Sequence, residues 1–121
     1  LGSEKSTKEQ VKEVITKGVD MAKDKAKEEA AKILKEAQEQ ADRIKADAKV
    51  LADRTREEGY AAVDKTIEGA KNPLAKAAAK AAAPTAKKEV DKKVQKILDE
   101  ANKKADDVLT KGKTESDKKL Q

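Results

Sequence analysis

The chain has 121 residues, of which 44% are charged and 1% aromatic, with Tyr60 the single ring and neither Phe nor Trp present. Average domains carry about 25% charge and nearly half apolar residues, so there is little bulky surface here to fill a globular core. With no Cys and no His, disulfides, thiol chemistry and the usual zinc and haem ligands are excluded, and no cofactor or metal is expected.

High charge with few aromatics is also the mark of a disordered chain; the periodicity below argues against that. The net charge of +5 is unevenly placed: residues 1–70 carry 15 basic and 16 acidic side chains, residues 71–121 carry 14 and 8. A basic second half of this kind attracts nucleic acid or anionic lipid. No stretch approaches the roughly 18 uncharged apolar residues that a membrane-spanning helix needs.

In chain order, Leu1-Gly2-Ser3 reads as the scar of a cleaved expression tag, followed by a single helical domain over residues 4–121. From Val11 onward, steps of four, four and three touch Val11, Ile15, Val19, Ala22, Ala26, Ala30, Ile33 and so on to Ala70, seventeen positions without one charge. In a chain rich in Lys and Glu, that is one face of a continuous helix over about residues 6–70, about 90 Å long. The pattern repeats every eleven residues, about 3.67 per turn, so helices meeting along it run straight or wind weakly right-handed. Ala and Gly dominate the stripe, which allows close backbone approach while each contact stabilises little. Gly18 offers a bend that would make a third helix.

At GAKNPL, residues 69–74, Gly69 weakens the helix, Asn72 suits an N-cap and Pro73 suits the first helical position, where its missing N–H costs nothing. A tight turn over about residues 71–73 is predicted there. A second uncharged stripe then runs from Ala75 through Ala79, Ala83, Ala86 and Val90 to Gly112, predicting a helix over about 74–112 and a frayed tail over 113–121. Pro84 lies inside this helix and removes the bond to the Lys80 carbonyl, so a kink is expected rather than a break. The phrase KILKEAQEQADRI at Lys32 returns as KILDEANKKADDV at Lys96: each helix contributes the same kind of edge. Pairs one turn apart, such as Glu28 with Lys32 and Asp99 with Lys103, support and solubilise it.

The predicted fold class is therefore all-α, a long antiparallel helical hairpin, coiled-coil-like with an eleven-residue period. Folding back at Pro73, a helix ending at residue 112 covers the first helix only to about residue 33. Residues 11–32 are left without a partner, and they hold Val11, Ile15, Val19 and Met21, larger than the alanines that follow. This is the candidate face for self-association or a helical partner, and a dimeric bundle is expected because two Ala-lined helices bury little.

Catalysis lacks parts: Ser3, Ser6 and Ser116 fall near the predicted ends, and no base stands by to activate them. Tyr60 reads as packing at the seam edge rather than as a stacking platform. The tract AKAAAKAAAPTAKK, residues 75–88, has two readings: a phosphate-binding patch of Lys76, Lys80, Lys87 and Lys88, extended by Lys92 and Lys93, or a strong helix former whose lysines keep it soluble. The second is favoured because acids resume at Glu89 and Asp91.

Several families share these phrases. The period with flanking Lys and Glu resembles lipid-surface helices of the apolipoprotein and synuclein kind, although the Ala-rich stripe and near absence of Trp, Phe and Leu suit that role poorly. KEEAAKILKEAQEQADRIKADA resembles the peripheral-stalk helices of rotary ATPases, and TKGVDMAKDKAKEEA resembles late-embryogenesis-abundant proteins. AKNPLAKAAAKAAAPTAKKEVDKKVQKILDEANKKADDVL is similar to the Ala/Lys/Glu-rich helical tails of AsmA-like envelope proteins, departing from them at Pro84. That resemblance implies the periplasmic side of a bacterial envelope and a spacer role, with no catalytic residue. The functional expectation is a non-catalytic structural or scaffold protein acting by helix–helix association. The alternative is a weak binder of anionic membrane or nucleic acid through the basic second half.

Overall fold

The computed structural model describes residues 7–121; residues 1–3, read above as a tag scar, and Ser6 lie outside the described residues. The described residues form an all-α helical hairpin of two helices, α1 (Thr7–Glu68) and α2 (Pro73–Leu120). By its contacts it divides into two units, Gln40–Asp107 and Leu1–Glu39 with Val108–Gln121.

The first of these units contains the turn. There α1 ends with the Gly69 N–H donating to the Lys65 carbonyl at 2.8 Å and the Ala70 N–H to the Ile67 carbonyl at 3.3 Å, a tightened last turn. Asn72 then caps α2: its side-chain oxygen accepts the Ala75 N–H at 2.7 Å, and its backbone carbonyl accepts the Lys76 N–H at 3.0 Å. With Pro73 in the first helical position, the turn is built as the sequence predicts, its helix ends shifted by one or two residues. No backbone here takes a left-handed φ, so Gly69 acts by lacking a side chain and by its low helix propensity.

The seam follows the eleven-residue spacing. Ala41, Ala48 and Ala52 of α1 and Val94, Ala101 and Ala105 of α2 are buried, with Ile44 and Ile97 half-buried among them. Near the turn the stripe loosens, since Thr66 and Ala75 are exposed and Ile67 is half-buried instead. α2 continues through Pro84 without a break, and Ala83 and Ala86 on either side are both half-buried, so the stripe keeps its phase across the missing hydrogen bond. Gly59 is required by close approach: a Cβ there would lie 2.7 Å from both γ-carbons of Val90.

In the second unit four expectations are corrected. α2 does not fray at 113 but runs to Leu120, because the spacing continues one step from Gly112 to Ser116, which is small enough to be buried at 2% exposure. Ser116 is therefore a seam residue and not a terminal one. Gly112 packs so closely that a Cβ on it would stand 2.5 Å from the Ala37 Cβ. Lys119 pairs with Glu29 at 3.8 Å. As a result Ala30 is buried and Ala26 half-buried, so the uncovered part of α1 is residues 7–25 and not 11–32. α1 is unbroken at Gly18, which excludes a third helix bent there.

Candidate functional site

Residues 7–25 are all exposed. They form the first turns of α1, where Glu9 suits the helix dipole and Thr16 returns its hydroxyl to the Lys12 carbonyl at 2.8 Å. The sequence places Val11, Ile15, Val19 and Met21 on a partner-seeking face. The structure keeps all four on one side of α1, between 48% and 72% exposed, together with Val14. At about 100° per residue, Val11, Val14, Ile15, Gly18, Val19, Met21 and Ala22 fall within an arc of about 160°. A Cβ on Gly18 would meet nothing within 4 Å beyond its own helix backbone, unlike one on Gly59 or Gly112.

The six lysines of the candidate basic patch do not share a face. At about 100° per residue Lys76, Lys80 and Lys87 lie within about 40° of one another, Lys88 and Lys92 are rotated by about 100° and about 140° from them, and Lys93 lies elsewhere again. Two are engaged. Lys92 pairs with Glu89 at 3.2 Å, and Lys87 reaches the Asp64 carboxylate at 3.5 Å while standing 5.3 Å from the centre of the Tyr60 ring.

Lys87 belongs to a cluster that the sequence alone does not reveal. Tyr60 and Asp64, one turn apart on α1, face Lys87 and Asp91, one turn apart on α2; the Tyr60 hydroxyl donates to the Asp91 carboxylate at 2.5 Å. The phenol is pushed above its ordinary pKa, chiefly because that hydrogen bond favours the protonated form. Desolvation and the Asp91 charge add to the effect, and Arg56 opposes it. Two i,i+4 pairs were the available signal, but only the register brings them face to face. This arrangement fixes register and cation placement; it pairs no base with a nucleophile.

Beside it, a groove of about 210 Å³ between the helices is lined by Ala62, Val63, Thr66, Ala79, Ala82, Ala83 and Ala86, side chains with almost no titratable chemistry. Among the described residues, no three carboxylates converge as a metal site would need, and no helix is long and apolar enough to cross a membrane. Comparison with protein-family models, with curated proteins and with solved structures finds no match to this chain.

Proposed function

We propose that the protein is a non-catalytic structural element, a spacer or scaffold that works by helix–helix association. The hairpin supplies the rigid part, with the eleven-residue spacing acting as a coiled-coil-like seam, and the N-terminal face of α1 supplies the joint. The observation that carries this reading is the exposure of Val11, Ile15, Val19 and Met21 at the end of a stripe whose smaller members are buried. Such a face gains by being covered, and in a dimer two copies would cover it together.

The resemblance to envelope-protein tails supports a periplasmic setting for this role. A basic-patch reading draws support from the charge of residues 71–121, but the dispersal of its six lysines and the engagement of Lys87 and Lys92 weaken it. Light scattering over a dilution series, with circular dichroism, tests the proposal. The expected result is a dimer that dissociates on dilution and is monomeric when Ile15→Lys and Val19→Lys are combined. A monomer at every concentration removes self-association and leaves a helical partner as the remaining form of the proposal.

A further inference from the structure

A two-helix seam explains Val11, Ile15, Val19 and Ala22, but it does not explain Val14 and Met21. These two are the most exposed large apolar residues of the segment, at 70% and 72%. The eleven-residue repeat supplies a control. Stepping from Val14 in elevens gives Lys25, Glu36, Asp47 and Glu58, and from Met21 gives Lys32, Arg43, Arg54 and Lys65. Every counterpart along the rest of α1 is charged. Residues 11–22 therefore have an apolar face widened on one shoulder beyond what a seam of this repeat requires, and an arc of about 160° is broader than the narrow stripe of a helix pair.

The charges around that face are sorted. Lys12 and Lys23 border it on one side at about 100–120° from its centre, and Lys17 borders it on the other at about 120°. Lys8 and Lys25 close its two ends. Glu9, Glu13, Asp20 and Asp24 all fall in the opposite arc, about 160–220° from the centre. With five lysines and four acids, residues 7–25 are nearly neutral by count. By position they are not: the lysines lie beside the apolar face, and the acids stand across a helix about 10–12 Å thick, roughly a Debye length farther from anything the face touches. The occupant that such a face fits is broad, apolar at its centre and negatively charged at its edges. A second copy of the segment, as in the dimer proposed above, can cover the apolar centre but supplies no negative edge for the lysine borders.

We propose that residues 7–25 lie in the surface of an anionic lipid bilayer, with Val11, Val14, Ile15, Val19 and Met21 inserted and Lys12, Lys17 and Lys23 at the level of the phosphates. The long lysine stems lie along the apolar boundary while their ammonium groups reach the headgroups. This gives the face proposed above for helix association a second and mutually exclusive occupant, and it moves the lipid contact from the basic second half of the chain to the nearly neutral end of the first. The hairpin stays folded, because residues 7–25 contribute nothing to its seam.

The test is flotation of the full chain with vesicles of phosphatidylcholine containing about a third phosphatidylglycerol, and with pure phosphatidylcholine, at low and moderate salt. Binding to the anionic vesicles alone, weakened by salt, is expected. The combined Lys12→Gln, Lys17→Gln and Lys23→Gln variant should lower partitioning about a hundredfold, at about fivefold per lysine. Val14→Gln with Met21→Gln, which narrows the face without changing charge or the seam stripe, should lower it about tenfold or more. Lys76→Gln with Lys80→Gln should leave it unchanged. Absence of flotation overturns the inference, and a dimer seen by light scattering in that case leaves helix association standing. Equal flotation with neutral vesicles, or loss only in the Lys76 and Lys80 variant, also overturns it.

Discussion

The two stretches of α1 on either side of residue 26 carry the same spacing and opposite environments. In residues 7–25 the stripe is built of Val and Ile and is exposed; from Ala30 to Ala52 it is built largely of Ala, and the alanines are buried. Side-chain hydrophobicity does not decide this outcome. The presence of an opposing helix does, and the small residues are those that let that helix come close. Val11, Val14, Ile15, Val19 and Met21 are left exposed by the described residues, and an outside surface is what the proposals above assign to them.

The strongest way to break the comparison is to put the same charge on both stretches. Ala41 is fully buried in the seam. Ala41→Lys must either bury an ammonium group or part the helices, at about 3 kcal/mol or more. Ile15→Lys, on the same stripe, should leave the thermal midpoint of the monomeric chain unchanged while abolishing whatever association the face supports. Circular dichroism melts of the two variants check this, and equal losses would mean that residues 7–25 are packed in solution.

The glycines offer a second contrast, one of sign. Gly→Ala in an exposed helix interior stabilises by about 1 kcal/mol through propensity alone. Gly18→Ala should show that gain, since the site is open. Gly112→Ala must place a methyl 2.5 Å from the Ala37 Cβ, where no flexible chain end can yield. Overpacking of about 1–3 kcal/mol then offsets or outweighs propensity, and the stabilisation seen at Gly18 is replaced by a net loss of up to about 2 kcal/mol. Gly59→Ala should fall on the same side, opposed by the stiff Val90 side chain.

The hairpin was legible because its devices are local or periodic. Asn72 and Pro73 state the start of α2 in two adjacent residues, and a stripe free of charge over many repeats has few readings besides a helix seam. What escaped was set by register. Ser116 belongs to the seam only because the four-residue step from Gly112 continues, and polarity made it read as a tail. Lys87 looked like surface charge until Asp64 and Tyr60 were brought opposite it. The N-terminal face was visible as a row of larger residues. Its width depends on where α2 ends: stopping at Leu120, α2 leaves Val14 and Met21 uncovered.

The cap itself gives a smaller effect of known direction. Asn72→Ala removes the acceptor of the Ala75 N–H and should cost about 1 kcal/mol. Because the loss falls at the turn, it should lower the melting midpoint without altering vesicle flotation or dimer dissociation, both of which the proposals assign to the opposite end of α1.

The smallest expected effect is the most specific to read, because Tyr60 is the only aromatic residue and its phenolate absorbance reports one group. Its folded pKa lies above the ordinary value of about 10, with the Asp91 hydrogen bond the leading cause. A group whose folded pKa is raised contributes stability that is complete below the unfolded pKa and is lost as pH rises through the folded one. The link between α1 and α2 at Tyr60 is therefore intact at neutral pH and released above about pH 10, when the phenolate faces the Asp91 carboxylate. An absorbance titration should give one midpoint above that of a free tyrosine. Asp91→Asn removes the carboxylate and should bring the midpoint down, whereas Lys12→Gln on the distant segment should leave it in place. A midpoint unmoved by Asp91→Asn would mean that the phenol and the carboxylate do not meet, and the register of the turn-proximal seam would have to be redrawn.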